Sequence, residues 1–548
     1  MTKFLGRLAV PVLFLFSLGL YFRTTGYELI GDDAVLILGN PYVRSVHFLR
    51  EILTQNFWAF QGLRGNSIYY RPVLMLAFLV LTVLFRPHPA PFHAFTTLLN
   101  AVVVVLVYKL AKRLGMSEVG AWIAATLFAV LAIHVEAIAV VSGASDLMCA
   151  VFILCAMLVY VRGTTRRHAW GAAVLLLGAM LSKELAFVSI LLLAFYEHFM
   201  RQDRTEHWQR VERYFPTCLL TVFAFVAHRA AVGPVQRIRF SSSVPFLFSQ
   251  VGQYMAKLIC PQHLTYSWPY QPAQAWTEPY VLFGAGVLLW ATVVAPATWR
   301  RNRLVAFTLF WLFLFILPMI RIGFPGTSVL AERYLYIPSV GFCWLVGIAV
   351  SNVSTPRLRI AALAGTATII VLMAVQTERY LPSWRDRLAL SVATLKENPD
   401  SGPFLGYMAT YYIHEGDLSK ARAYYMHAAA DDPPIPEAYV NLASMHMNDG
   451  DYQGAWNMLW RGISVAPGYS KPFILLARIA RIEGDVFQSE MLLRRALDCD
   501  PNDYEALLHL GVLKCQQGHK GEASSLLARA KFVNADSTIE CSATGGYK

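Results

Sequence analysis

Long apolar stretches recur through the first two thirds of the chain and constrain its fold more than any other feature. Between Leu8 and Gln376 the sequence repeatedly runs for about 15 to 20 residues with few charges, and over the whole chain 56% of residues are hydrophobic and 15% charged. About 20 apolar residues are needed for an α-helix to cross a bilayer. We therefore predict an all-α, polytopic transmembrane helical bundle rather than a soluble globular protein.

Charged residues are divided unevenly along the chain. Residues 1–400 hold 34 Lys or Arg and 18 Asp or Glu, whereas residues 401–548 hold 13 and 17. The basic excess marks cytoplasmic loops of the membrane part. No basic stripe with interleaved aromatic residues occurs, which argues against a nucleic-acid partner. The eight cysteines form no CxxC pair, so neither a disulfide framework nor a zinc site is predicted.

The cationic clusters set the predicted topology. Eleven crossings result when all of these clusters lie in the cytoplasm, with the N-terminus inside and the C-terminus outside. The clusters are KLAKR (109–113), RGTTRR (162–167), the segment 201–213, RRNR (300–303) and RLR (357–359). The predicted spans are residues 8–22, 93–111, 119–134, 146–161, 168–182, 185–200, 213–232, 280–297, 304–321, 334–352 and 359–376. Two shorter apolar segments, 72–85 and 244–260, are left open as interfacial, re-entrant or spanning.

A 34-residue period marks the C-terminal part. Gly416, Gly450, Gly484 and Gly518 keep this spacing, and so do Pro433, Pro467 and Pro501. The period, with G-D at a helix turn, is typical of tetratricopeptide (TPR) repeats. We predict a membrane domain over 1–380, a linker or first helix over 381–400, TPR repeats over 401–536 and a tail over 537–548. Such arrays usually bind polypeptide; a spacer or dimerisation arm is the alternative.

Ionisable residues gather at the outer ends of the predicted spans. The acids are Glu28, Asp32, Asp33, Glu51, Glu136, Asp146, Glu184, Glu278 and Glu332, and the cations are Arg71, Lys183, Arg229 and Arg333. Ionisable groups at the edge of an apolar bundle are costly unless they are paired or functional. Their convergence predicts a site on the outer rim, while solvation of loops would explain individual members.

The first outer loop, residues 23–71, is too long for a mere connection and carries the adjacent carboxylates Asp32 and Asp33. One carboxylate is a candidate general base for an acceptor hydroxyl. The pair could instead hold a divalent cation such as Mg or Mn, and Asp33 could simply cap a helix formed by AVLIL. We favour one catalytic and one structural aspartate, and the sequence leaves open which is which.

Three further outer segments carry candidate binding residues. They are IHVEAIAVVSGASDL with Glu136 and Asp146, SKE with Lys183 and Glu184, and VLAERYLYIPSVG with Glu332, Arg333 and Tyr334. Each acid and cation could form a purely structural ion pair. Arg333 is the most informative of them, because a guanidinium suits bidentate phosphate binding.

These segments occur in a specific order along the chain. GDDAVLILGN, YYRPVL, HVEA with SGASDL, SKE, HR at His228–Arg229 and AERYLYIPSVG follow one another, and the repeats come after them. In this order the chain resembles the transmembrane-and-TPR O-mannosyltransferase family, a branch of the GT-C membrane glycosyltransferases, over essentially its whole length. It departs from the family pattern at Ala144, where arginine is frequent, and in lacking a proline beside His134.

The resemblance implies a GT-C-type bundle followed by a TPR α-solenoid. It also implies inverting transfer of mannose or a related hexose from a polyprenyl- or dolichyl-phosphate donor to a protein hydroxyl on the outer or lumenal side. Asp32 or Asp33 would be the base. The expected donor-binding residues are Arg71, Glu136, Asp146, Lys183, Glu184, Arg229, Glu332, Arg333 and Tyr334.

Three rivals to this function remain open at the level of sequence. They are a non-enzymatic, membrane-anchored TPR scaffold for envelope assembly, a transporter, and an enzyme of the same fold that acts on a lipid or glycan. The TPR groove is expected to bring the acceptor protein. A bacterial plasma membrane is expected rather than the endoplasmic reticulum.

Overall fold

The regular secondary structure of the described chain is helical. The computed structural model describes residues 2–61, 67–201, 207–233, 243–268, 275–320, 330–430 and 435–533, and every regular element in these ranges is a helix. The chain divides into two compact units, Met1–Ala393 and Thr394–Lys548. The predicted fold class, an all-α bundle of apolar helices followed by helical repeats, is confirmed.

The first unit contains fifteen described α-helices. They are α1 (Thr2–Tyr21), α2 (Leu49–Thr54), α3 (Pro72–Phe85), α4 (Pro89–Arg113), α5 (Glu118–Val130), α6 (Val135–Ala139), α7 (Ala144–Arg162), α8 (Arg166–Met180), α9 (Ser189–Phe195), α10 (His207–Val232), α11 (Val244–Ile259), α12 (Pro279–Arg301), α13 (Arg303–Ile316), α14 (Pro338–Ser351) and α15 (Pro356–Tyr380). Short 3-10 or π-helical turns connect many of them, including Phe22–Gly26, Ala34–Leu38, Ala132–His134, Val141–Gly143, Glu184–Val188, Tyr196–Met200 and Glu332–Leu335.

The apolar helices identify a multi-pass membrane protein. Five described helical segments are long and apolar enough to cross a bilayer: Leu8–Gly26, Pro89–Arg113, Val141–Arg162, Gln209–Val232 and Pro356–Trp384. A sixth candidate, α5 with Ala132–Ala139, is bent by 54°. Of the other predicted spans, 280–297 coincides with the long helix α12, and 168–182, 185–200, 304–321 and 334–352 overlap helices that are shorter or interrupted by 3-10 and π turns. The two open segments, 72–85 and 244–260, coincide with α3 and α11. The number of crossings remains a prediction.

Two pairs of helices approach each other closely at glycines. A Cβ on Gly347 of α14 would overlap the carbonyl oxygen of Gly120 on α5, and the reverse addition is also blocked. Gly252 of α11 and Gly284 of α12 form a second such pair. Small residues let apolar helices pack backbone against backbone, which replaces the hydrophobic driving force that lipid does not supply.

The second unit is built from four helical hairpins in its described part. After α16 (Arg387–Glu397), which crosses the division, the hairpins are α17 (Gly402–His414) with α18 (Leu418–Ala430), α19 (Pro436–Asn448) with α20 (Tyr452–Val465), α21 (Ser470–Ile482) with α22 (Val486–Cys499), and α23 (Tyr504–Gln516) with α24 (Lys520–Val533). The four periodic glycines occupy the left-handed region at φ of 78° to 83°, where L side chains are strained. The 34-residue period therefore does encode one hairpin per repeat. The predicted tail lies outside the described residues.

One cysteine of the second unit differs from the expectation drawn from the sequence. Cys515 on α23 is disulfide-bonded, whereas six other cysteines of the chain are free thiols. Spacing alone gave no indication of this bond, because it depends on which cysteines the fold brings together.

Candidate active site

The two adjacent aspartates follow a tight turn near the start of the segment 23–71, which the sequence predicts as the first outer loop. Gly31 has a φ of +56°, and after it the backbone turns into a short helical segment that continues as Ala34–Leu38. Because Asp32 and Asp33 are consecutive in helical conformation, their side chains point in different directions. This local geometry separates the roles of the two carboxylates.

Asp33 is a buried connector between two loops. Its carboxylate accepts hydrogen bonds from the backbone N–H groups of Val141 (2.6 Å) and Ser142 (2.7 Å), and its side chain makes no capping bond to its own helix. The structural alternative, in which the Asp33 side chain caps the AVLIL helix, is therefore wrong. Burial raises the pKa of Asp33 to about 7, and the two N–H donors oppose that rise.

Asp32 faces a cavity of about 340 Å³. No hydrogen-bond or ion-pair partner of its carboxylate occurs among the described residues. Although its side chain is accessible through the cavity, the surrounding protein raises its pKa, and Arg333 and Arg71 act against this rise. Seven of the candidate residues line the cavity: Asp32, Arg71, Asp146, Lys183, Glu184, Arg333 and Tyr334.

Two cation–carboxylate pairs form one side of this cavity. The guanidinium of Arg71 donates from Nε and Nη2 to Glu184 at 2.9 to 3.3 Å, and the Glu184 carboxylate also accepts the backbone N–H of Tyr70. The ammonium of Lys183 is paired with Asp146, and both side chains are buried. Glu184 and Asp146 thus hold the two cations in fixed positions.

The third cation of the cavity, Arg333, is held by a buried carboxylate that does not line the cavity. Glu136, which is buried, accepts from Nη1 of Arg333 at 2.9 Å and from its backbone N–H at 2.9 Å. The ring of Tyr334 lies 5.6 Å from both the Arg333 guanidinium carbon and Lys183 Nζ. Arg333 and Lys183 therefore flank one aromatic ring, and such contacts favour cations.

Four candidate residues do not line the cavity. Asp33 and Glu136 lie behind it and act through the contacts just described. Glu332 accepts the backbone N–H of Thr265 at 2.8 Å and the hydroxyl of Tyr380 at 3.4 Å, so it supports the turn before α14. Arg229 is exposed near the end of α10. Sequence position alone could not distinguish these residues, because it does not give the direction of a side chain.

Several lining residues were not among the predicted site residues. Phe57, Trp58, Tyr69, Ser142 and Ser145 line the cavity, and Arg71 lies over the Tyr69 ring at 4.6 Å. Tyr69 stands in YYRP and the serines in SGASDL, so these motifs did contain a signal. Nothing in the sequence around Trp58 marks it as a site residue.

The described carboxylates do not form a metal cluster. No group of three or more His, Cys, Asp or Glu side chains suited to a metal occurs among the described ranges. Both oxygens of Asp33 are turned toward N–H donors, which disfavours the two-aspartate cation site considered above.

Fold and cavity together define a multi-pass helical membrane protein with a charged cavity in its first unit and helical repeats in its second. No protein-family model matches the sequence. The chain is 26% identical over 445 residues to a protein O-mannosyl-transferase of Caenorhabditis elegans, covering 77% of this chain and 63% of the relative. It is 24% identical over 559 residues to the protein O-mannosyl-transferase TMTC3 of Mus musculus, covering 90% and 60%.

A third relative is the protein O-mannosyl-transferase Tmtc1 of Drosophila melanogaster, 24% identical over 530 residues, with 77% of this chain and 61% of the relative covered. The chain thus spans about three fifths of the length of these curated relatives, and its resemblance to the protein O-mannosyl-transferases is confirmed over most of its own length. The solved structure of MamA is 19% identical and covers 27% of this chain and 86% of its own, but its TM-score of 0.23 is too low to carry an argument.

Proposed function

We propose that this chain is a GT-C-type membrane glycosyltransferase. It transfers mannose or a related hexose from a polyprenyl- or dolichyl-phosphate donor to a hydroxyl group of a protein, with inversion at the anomeric carbon. The observation that carries the proposal is the cavity that Asp32, which has no partner among the described residues, lines together with three cations, Arg71, Lys183 and Arg333. Similarity to named protein O-mannosyl-transferases supports the choice of reaction.

Asp32 is the proposed general base. The acceptor oxygen forms a bond to C1 of the sugar while the bond from C1 to the donor phosphate breaks. The hydroxyl proton moves to the Asp32 carboxylate, and the electron pair of the broken bond leaves with the phosphate. Inversion follows from a single displacement, because the other cavity carboxylates, Asp146 and Glu184, are engaged by Lys183 and Arg71 and are poorly suited as nucleophiles.

Arg71, Lys183 and Arg333 are the proposed phosphate ligands. Negative charge grows on the phosphate as it leaves, and cations already held in place stabilise that charge without reorganisation. Arg71 uses Nε and Nη2 for Glu184, so the donors of Nη1 remain available to a phosphate oxygen. Glu136, Glu184 and Asp146 are positioning residues, since each fixes one of the cations.

The repeat unit is the proposed docking element for the acceptor polypeptide. TPR arrays generally bind polypeptide along one face of stacked helices. The charge topology predicts this unit on the outer or lumenal side, and the disulfide at Cys515 supports that side because disulfides persist in oxidising compartments. A bacterial plasma membrane, rather than the endoplasmic reticulum, remains our prediction for the host membrane.

The test is transfer from radiolabelled polyprenyl-phosphate sugars to protein in membranes that contain equal amounts of folded wild type or variant. Asp32→Asn preserves shape but removes the base, so transfer should fall by at least about 10²-fold. Glu28→Gln is the matched control, because Glu28 is an exposed carboxylate of the same loop and does not line the cavity. Wild-type activity in Asp32→Asn, or no transfer by wild type from any lipid-linked sugar, would favour the scaffold alternative.

A further inference from the structure

Two exposed arginines of the repeat unit lie on one helix face. Arg478 and Arg481 are three residues apart on α21, so their side chains lie on neighbouring positions of the same face. Both are exposed, and neither has an ion-pair or hydrogen-bond partner in the described part of the chain. Two like charges at this spacing disfavour the helix slightly, so the pair is not there for local stability.

The repeat architecture does not require arginine at either position. One period earlier the equivalent residues are Ser444 and Met447, and one period later they are Val512 and Cys515. The helix macrodipole favours a cation in the last turn of α21, which accounts for Arg481 alone. Arg478 lies further from that end, so neither packing nor the dipole explains why both are basic.

Several other cations of the same unit are paired with carboxylates of the fold. Arg422 pairs with Asp449, Arg494 with Glu490 and Glu522, Lys471 with Glu505, and Lys514 with Glu490. The unit as a whole carries more acids than bases. An uncompensated positive patch is therefore an exception to the charge pattern around it.

A histidine of the next helical hairpin belongs to the same patch. His509 on α23 lines a narrow crevice together with Arg478 and Arg481. Burial lowers the pKa of His509, and the two arginines lower it further, while Glu505 opposes them. His509 therefore tends to stay neutral beside them and contributes hydrogen-bonding capacity rather than charge. We call Arg478, Arg481 and His509 the arginine surface.

We propose that the arginine surface binds an acidic, extended segment of the acceptor polypeptide. Guanidinium groups pair with Asp and Glu carboxylates through two parallel hydrogen bonds, which gives both charge and directional selectivity. This inference rests on the proposed function, because only a glycosyltransferase would bind the polypeptide as an acceptor. What it adds to the proposed function is that the protein selects acceptors that carry an acidic segment.

The experiment measures binding without any sugar donor. Full-length protein in detergent is titrated against a fluorescein-labelled peptide of about 15 residues that contains Ser, Gly, Asp and Glu, and against its Asn/Gln counterpart. The variants are Arg478→Glu, Arg481→Glu and the double variant, and the control is Arg495→Glu, an exposed arginine on α22 whose partner is Asp498. Helical content and melting temperature are recorded for each protein.

We expect the acidic peptide to bind at least tenfold more tightly than its neutral counterpart, and added salt to reduce the difference. The double variant should lose this preference while Arg495→Glu keeps it. Equal binding of both peptides, an unchanged preference in the double variant, or arginine-dependent binding to anionic lipid vesicles but not to peptide would overturn the proposal.

The two proposals fail separately. If wild type transfers no sugar but still shows arginine-dependent peptide binding, the proposed glycosyltransferase is wrong and the docking surface stands. If transfer is intact and charge reversal does not affect peptide binding, the docking surface is wrong and the enzyme stands.

Discussion

Replacing Asp33 with asparagine tests whether this aspartate acts by holding two loops together rather than by chemistry. The carboxylate joins the Asp32 turn to the Val141–Gly143 turn, and Ser142 and Gly143 line the cavity. Asparagine has the same shape, but it offers one acceptor oxygen and turns an NH₂ donor toward the second backbone N–H. The substitution therefore breaks one charge-assisted hydrogen bond and weakens the other.

The expected loss can be worked from these two contacts. A hydrogen bond to a charged group contributes about 1.5–3 kcal/mol, and leaving a buried N–H unpaired costs about 1–3 kcal/mol. We call the conformation in which Asp33 holds the two loops together the clamped geometry. Allowing for the bond that asparagine retains, the substitution should destabilise this geometry by about 2–4 kcal/mol. At about 1.36 kcal/mol per tenfold change, this corresponds to a decrease of about 30- to 900-fold in the clamped population.

The assay is sugar transfer at pH 8, where Asp33 is ionised because its pKa is about 7. Transfer by Asp33→Asn should fall within that range. Its melting temperature need not fall with it, because the raised pKa of Asp33 means that its buried charge opposes folding at pH 8, and asparagine removes that charge. Asp32→Asn should lose transfer altogether. Lowering the pH below 7 protonates wild-type Asp33 and removes one acceptor, so the ratio of wild-type to Asp33→Asn activity should shrink. Complete loss of transfer by Asp33→Asn at pH 8, or wild-type activity at that pH, would refute the connector role.

Three other predictions follow from the same geometry. Gly143→Ala should destabilise the protein by at least about 1–3 kcal/mol, because its Cβ would overlap the carbonyl oxygen of Ala137, whereas Gly286→Ala has open space and should melt like wild type. The acid limb of the pH–rate profile should lie above pH 3.8, since the pKa of Asp32 is raised and the base must be deprotonated; a limb at or below 3.8 would contradict this. Reduction of the disulfide should increase by two the number of thiols that a maleimide labels in denaturant, and it should lower the melting temperature of the unit that holds Cys515. An unchanged number of labelled thiols would contradict the disulfide.

Local sequence signals predicted those features that depend only on neighbouring residues. The 34-residue period yielded the helical hairpins, because each repeat must turn at a residue that tolerates positive φ, as Gly450 does. Apolar length predicted helices throughout the first unit. Apolar length predicted the membrane-spanning segments less well. The segment 185–200, for example, is divided into 3-10, α and π helices, and composition does not reveal such breaks.

The candidate residues of the cavity were predictable as a group but not by role. Arg71, Lys183 and Arg333 were predicted as site residues because they lie beside apolar helices, where an ion needs a partner or a function. Their partners come from elsewhere in the chain: Glu184 is 113 residues from Arg71, and Glu136 is 197 residues from Arg333. Pairings across such distances depend on how the helices pack, and no local pattern carries that information.

By itself, the sequence determined the class of this protein: apolar helices for a membrane, a repeat for a second unit and a rim of ionisable side chains. Only the tertiary structure decided which aspartate is turned inward and which faces the cavity. Asp32 and Asp33 are chemically identical neighbours, and they differ only because the Val141–Ser142 backbone meets one of them. The physical reason is that burial and hydrogen bonding, not residue type, set the state of a carboxylate.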